Sequence, residues 1–159
     1  MLRTHTCGEL RADHESQTVT LCGWVHRRRD HGGLIFIDLR DRYGFTQVVI
    51  DPEQKNVFNT AEKIRPEWVI RVTGTVDKRQ EGAVREDNQT GAIEIRTSTI
   101  EILNESDTPP FEIDVEKDVN EELRLEFRYL DLRRERLRRN IELRHKLLQL
   151  TRTFFYNRD

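Results

Sequence analysis

The chain has 159 residues, 35% hydrophobic and 35% charged, with a formal net charge of -2 at pH 7. That length suits one packed domain with an appendage rather than two compact domains, and the small apolar share requires a thin core or a solvated, extended segment. The near-neutral balance gives no global signature of nucleic-acid binding, no apolar run reaches the length of a membrane span, and "MLRTHTCGEL" is too polar for a signal peptide, so the chain reads as cytoplasmic with no membrane partner.

From Val19 to Leu103 the texture is short alternating segments separated by turn residues, the pattern of an all-β unit. The predicted strands are "TVTLCGWVH", "LIFIDLR", "FTQVVID", "WVIRVTGTV" and "AIEIRTSTIEIL". Between the third and fourth, "DPEQKNVFNTAEKIRPEW" predicts a helix with Asp51 as N-cap and Pro52 in the first helical position. Val57, Phe58, Ala61 and Ile64 would line its buried face, and Pro66 would stop it. Five strands with one helix between the third and fourth is the element order of the OB-fold, a five-stranded Greek-key barrel, assigned here to residues 1–103.

Residues 104–122, acidic and containing Pro109-Pro110, read as a linker. Residues 123–159 are helical in period. Leu137, Ile141, Leu148 and Phe155 form one apolar stripe, with Leu143, Leu147, Leu150 and Phe154 a second beside it, on a helix expected from Arg133 to Asn157. Little of the chain is left to cover those stripes. The segment therefore reads as the start of a truncated domain or a dimer-forming element. Seven arginines between Arg124 and Arg139 alternate with Glu122, Glu126, Asp131 and Glu135, which predicts an ion-paired helical surface rather than a second nucleic-acid site.

Within the barrel, "LIFIDLR" places Ile35, Ile37 and Leu39 on one face and Leu34, Phe36, Asp38 and Arg40 on the other. An aromatic ring among charges has two readings: it packs under a loop or neighbouring domain, or it stacks on a base, at about 1–3 kcal/mol per base. The second and third strands form the usual oligonucleotide face of an OB-fold. Gln47 falls on the same face, and its amide offers a donor and an acceptor to a base edge. The "HRRRDHGG" segment after the first strand, read as a loop with Arg27, Arg28, Arg29 and His31, and the loop after the fourth, with Lys78, Arg79 and Arg85, would flank that face with positive charge. Glu94, early in the fifth strand, could accept from a base amino or imino group, or be ordinary surface charge.

There is no P-loop, Rossmann glycine pattern or nucleophile motif. Cys7 and Cys22 lack metal-ligand spacing, which predicts reduced thiols, no metal and no catalytic residue in this chain. A binding module remains, either sequence-selective, or a generic single-strand binder, or a protein-interaction module assembling through its terminal helix.

The string "LCGWVHRRRDHGGLIFIDLRDRYG", followed by "QVV", "VTGTV", "TGAIEI" and "FRYLDLRR", resembles the N-terminal part of bacterial-type aspartyl-tRNA synthetases, from Arg3 to the end. The resemblance implies an anticodon-binding domain for tRNA-Asp. Phe36 would stack on the middle anticodon base, Gln47 read that uracil, Glu94 read the first base, and Arg29 and Arg79 contact the loop. It implies a homodimeric parent that joins aspartate to tRNA using ATP and magnesium, on a class II catalytic domain mostly absent here. This chain alone would then need no cofactor and show no aminoacylation. Asp77, Gly82 and Ala83 stand where some relatives carry Arg, Lys and Asn, and His31 where discriminating relatives often carry Leu. In this respect His31 and Gly82 resemble the non-discriminating branch, which charges tRNA-Asn as well.

Overall fold

The computed structural model describes residues 2–113 and 117–158. Residues 114–116 of the expected linker, and Asp159, lie outside the described residues. The chain divides into two compact units, Met1–Thr108 and Pro109–Asp159.

The first unit contains β1 (Thr18–His31), β2 (Leu34–Arg40), β3 (Phe45–Ile50), α1 (Lys55–Lys63), β4 (Val69–Lys78) and β5 (Ile93–Asn104). The strands close into a barrel in the order β1-β2-β3-β5-β4. All neighbours are antiparallel except β3 and β5, which run parallel with Val48 opposite Ile95 and Val49 opposite Arg96. These are the elements and order expected of an OB-fold. Alternate residues such as Leu21, Ile37, Val48, Val72 and Ile95 are fully buried inside, and Ala61 and Ile64 at the end of α1 join them, with Val57 and Phe58 packed alongside. A fully buried side chain of the size of Ile64 contributes about 1.5–3 kcal/mol.

Two local expectations are corrected. The helix begins at Lys55, with Gln54 at the N-cap position and no side-chain cap. Asp51 is engaged earlier: its Oδ1 accepts from the Glu53 amide at 2.9 Å and its carbonyl from the Gln54 amide at 3.1 Å. That closes a turn with Pro52 in its second position, where a fixed φ is favoured, so the residues expected to start the helix form a turn before it.

The second correction concerns β1. It continues through His31, so "HRRRD" is strand rather than loop, and the connection to β2 is Gly32-Gly33 alone, with φ of 60° and 80°. Two consecutive positive φ values define the tight hairpin turn that glycine fits best. The long strand contains a bulge: Val25 lies opposite Leu39, but Arg27 lies opposite Asp38, leaving His26 as the extra residue. Because side chains alternate, one inserted residue exchanges the two faces. Val25 points into the core, and without the bulge Arg27 and Arg29 would follow it there. With it, Arg29 lies opposite Phe36. A similar slip in β5, where Thr99 pairs with Thr73 and Thr97 with Gly74, shifts the inward residues from Ile93 and Ile95 to Ile100 and Ile102.

The N-terminal segment is fastened by Asp41. Its carboxylate accepts from the amides of Cys7 (2.9 Å), Tyr43 (2.7 Å) and Gly44 (3.1 Å) and from Arg3 Nη1 (3.0 Å). Thr46 Oγ1 donates to the Cys7 carbonyl at 2.6 Å, and burial, helped by the nearby Asp41 charge, pushes the Cys7 thiol well above its ordinary range.

In the second unit, α2 (Glu121–Glu126), α3 (Arg128–Asp131) and α4 (Glu135–Tyr156) follow one another. Phe111, Ile113 and Leu130 form a small core with Val119, Leu123 and Phe127 against it. Asp131 is fully buried and is met by Arg124 at 3.0 Å, Arg128 at 2.5 Å and Arg134 at 3.8 Å. Part of the arginine run is thus consumed by one carboxylate. No residue of α4 is buried; among its stripe residues, Leu148 is 44% and Leu150 68% exposed.

Asp41→Ala strips three backbone amides of their acceptor, and an unsatisfied buried donor costs about 1–3 kcal/mol. Urea unfolding should show a loss of about 3 kcal/mol or more, whereas Asp13→Ala, whose side chain is 82% exposed, should change stability by less than about 0.5 kcal/mol.

Candidate nucleic-acid interface

A cleft of about 540 Å³ opens on the barrel surface, lined by Arg29, Asp30 and His31 of β1, Phe36 of β2, Gln47 of β3, and Arg79, Ala83 and Arg85 of the loop between β4 and β5. Of the residues singled out in the sequence it gathers Arg29, His31, Phe36, Gln47, Arg79 and Arg85, whereas Arg27, Arg28, Lys78, Gly82 and Glu94 are not on its lining. Phe36 is half-buried in its wall, with the ring neither sealed in the core nor standing free.

At the base of the cleft the polar side chains form a chain of bonds. Arg29 Nη2 donates to Asp38 Oδ1 at 2.9 Å and to Gln47 Oε1 at 3.2 Å. Gln47 Nε2 in turn donates to Glu94 Oε2 at 2.9 Å. Each link follows from the ladders. Asp38 and Gln47 are cross-strand partners, and the parallel register of Val48 with Ile95 brings Gln47 beside Glu94. Gln47 is therefore not the free surface amide its strand pattern suggested: it is 8% exposed and held at both ends. One lone pair on Oε1 and one hydrogen on Nε2 remain to it. Turning the amide over would set N–H against guanidinium and C=O against carboxylate, forfeiting two charge-assisted bonds of about 1.5–3 kcal/mol each.

Arg79 ties down the loop. Its Nε donates to the Ile93 carbonyl at 3.0 Å and its Nη1 to the Ala83 carbonyl at 3.4 Å. Burial draws its guanidinium below the ordinary range, opposed by the Glu94 charge, and an arginine remains cationic under such a shift. Gly82, at φ 89°, makes the turn beside Ala83 in a conformation that side chains disfavour. Arg85 Nη1 lies 4.0 Å from Asp38 Oδ2. Phe36 offers a stacking surface, Gln47 and Glu94 hydrogen-bonding edges, and Arg29, Arg79, Arg85 and His31 cationic or polar rims: the components for holding an unstacked base beside its backbone.

Residues 19–103 match the family model described as an OB-fold nucleic acid binding domain. The chain belongs to this family. Residues 120–159 match a second model, tRNA synthetases class II (D, K and N). Among curated relatives, the aspartate–tRNA(Asp/Asn) ligase of Rubrobacter xylanophilus is 56% identical over 157 residues, covering 99% of this chain and 26% of the relative. That of Desulfatibacillum aliphaticivorans is 54% identical over 97% of this chain, again 26% of the relative. The chain thus spans about a quarter of the length of these relatives. Asparaginyl-tRNA synthetase from Pyrococcus horikoshii superposes with a TM-score of 0.79 at 26% identity, covering 99% of this chain and 36% of that one.

Membership in an OB-fold nucleic-acid-binding family fits the position of the cleft, on the second and third strands and the loops beside them. Asp38 was visible in the sequence as a charge beside Phe36, but its role as the anchor of Arg29 was missed. The available signal was its place opposite Gln47 in a β2–β3 hairpin. Among the described residues no group of three or more His, Cys, Asp or Glu side chains is placed to hold a metal ion, and no helix is long and apolar enough to cross a membrane.

Arg79→Lys keeps the charge but cannot span the carbonyls of Ile93 and Ala83. Amide hydrogen exchange across residues 80–91 should quicken in this variant, while the β1–β4 ladder stays protected. Unchanged loop protection would show that the guanidinium does not organise the loop.

Proposed function

We propose that this chain is the anticodon-binding front part of an aspartate–tRNA ligase, with the cleft receiving the anticodon loop of tRNA-Asp. The observation that carries the reading is the convergence, in one cleft, of a half-buried ring, a two-sided amide with a carboxylate behind it, and arginines on its walls. More than half identity to relatives named aspartate–tRNA(Asp/Asn) ligase supports it.

In this reading Phe36 stacks on the middle anticodon base, the remaining valences of Gln47 meet its Watson–Crick edge, and Glu94 accepts from the first base. Arg29 and Arg79 approach the loop backbone or base oxygens. Residues 1–103 are the recognition domain, the stretch after it contributes Phe111 and Ile113 to the core of the second unit rather than serving as a bare linker, and 123–159 are the opening of a class II catalytic domain whose parent uses ATP and magnesium. That parent works in the cytoplasm as a homodimer, with the apolar faces of α4 contributing to assembly. The activity belongs to the parent, and this chain's share of it is the choice of tRNA.

The relatives' names also favour acceptance of tRNA-Asn. His31 sits on the cleft wall and Gly82 beside its rim, and Gly82 offers no side chain to a third anticodon base. Stem-loops ending in GUC and GUU should bind this chain within about tenfold of each other, since a discriminating contact would be expected to reach 1–3 kcal/mol. A preference for GUC of a hundredfold would mark a discriminating site.

The primary test is titration of the chain with a tRNA-Asp anticodon stem-loop at near-physiological salt, beside a loop whose middle uracil is replaced by adenine. Wild type should prefer the native loop, and Phe36→Ala should lose about 1–3 kcal/mol, the usual value of one stacked base. Equal binding of both loops, steep salt dependence and indifference to Phe36→Ala would instead identify a generic single-strand binder.

A further inference from the structure

We propose that the choice between uracil and cytosine at the stacked position is made by a polarity lock on the Gln47 amide, and that Asp38 is the positioning residue of that lock. This rests on the anticodon reading of the cleft.

A glutamine amide is nearly symmetric in shape, so its neighbours decide which end carries the oxygen. Here both neighbours are unambiguous. Arg29 can only donate, so Oε1 faces it at 3.2 Å, and the Glu94 carboxylate oxygen accepts, so Nε2 faces it at 2.9 Å. The valences left for a ligand therefore have a fixed order, acceptor on the Arg29 side and donor on the Glu94 side. Uracil presents an imino N–H flanked by carbonyl oxygens. Cytosine presents, at the corresponding ring positions, an unprotonated nitrogen beside an amino group. For a base held in one orientation by Phe36, the two pyrimidines require opposite amide polarity. A freely turning amide would satisfy either, and a locked one satisfies uracil alone.

Asp38 acts through Arg29. A single nitrogen, Nη2, directs its two hydrogens to Asp38 Oδ1 and Gln47 Oε1, so the carboxylate at one hydrogen fixes where the other falls. Asp38 is 9% exposed and lies opposite Gln47 in the β2–β3 ladder, which keeps this geometry rigid. Arg85, 4.0 Å from its other oxygen, supplies a second cation on that carboxylate. The lock has two independent clamps, Asp38–Arg29 on the oxygen and Glu94 on the nitrogen. Loosening one leaves the other in place.

The test compares tRNA-Asp anticodon stem-loops carrying uracil or cytosine at the middle position, titrated against wild type, Asp38→Asn, Glu94→Gln and the double variant. Wild type should prefer uracil by about ten- to hundredfold, the range of one bidentate base contact. Each single variant should bind more weakly yet keep most of that ratio, and the double variant should bind both loops within about threefold, because Arg29 is then no longer aimed at Oε1 by a carboxylate and an amide at position 94 meets either end of Gln47 equally. A purely structural role would weaken both loops together and leave the ratio intact, which would overturn the proposal. If the double variant does not fold, Arg29→Gln combined with Glu94→Gln releases the same two clamps and is read by the same ratio. Wild type that binds both loops alike would overturn the anticodon reading itself. A wild-type preference that Phe36→Ala abolishes and the double variant retains would overturn the lock alone.

Discussion

The parallel junction of β3 with β5 is the constraint on which the recognition cleft depends. The other four strand pairings are antiparallel, three of them between chain neighbours. This one joins distant segments and closes the barrel, with Val48 opposite Ile95. Closure removes the open edges that a five-stranded sheet would otherwise expose. It also decides which carboxylate stands behind Gln47. A one-residue slip would exchange the faces of β5, sending Glu94 into the core and Ile93 or Ile95 to the surface. The full burial of both isoleucines fixes the register, and the hydrophobic effect thereby sets the position of a polar site it does not enter.

The bulge at His26 plays the matching part on the other wall. Burial of Val25 commits β1 to one parity, and the cleft requires Arg29 on the opposite one. A single extra residue reconciles them and lets an uninterrupted strand serve the core at one end and the cleft at the other. The same device at Ser98 keeps β5 packed after its early residues have served the cleft.

Much of the architecture was legible because it follows from alternation and turn chemistry, both local. Ile35, Ile37 and Leu39 declare one face of β2, and the helix between β3 and β4 shows its Ala61–Ile64 side plainly. The cleft residues Phe36, Gln47, Arg29 and Arg79 could be named from strand faces and charge. What could not be read was non-local or degenerate. "HRRRDH" resembles a solvated loop until its cross-strand partner is known, because arginine carries no strand signature and a bulge leaves no mark in composition. The Gln47–Glu94 bond depends on a register between segments 47 residues apart. Asp51 has two competing uses, turn and cap, and sequence does not say which wins.

The charge inside the cleft explains how a chain of net charge -2 can suit a nucleic acid. Arg29 is already paired with Asp38, Arg85 lies near the same carboxylate, and Arg79 is tied to two carbonyls. These cations give no broad positive field of the kind that releases many counterions on binding. They serve instead to hold other groups still. A side chain already fixed in its bound geometry loses less entropy when the ligand arrives, so discrimination is improved by preorganisation rather than by added attraction. Under the proposed reading, stacking on Phe36 would be tolerant of the base, since every base has a π face, and selectivity would come from edges whose donors and acceptors cannot rearrange. In this cleft rigidity is supplied by ion pairs on a nearly buried Asp38 and by barrel register, so under the proposed reading the residues that set base choice include some that need never touch it.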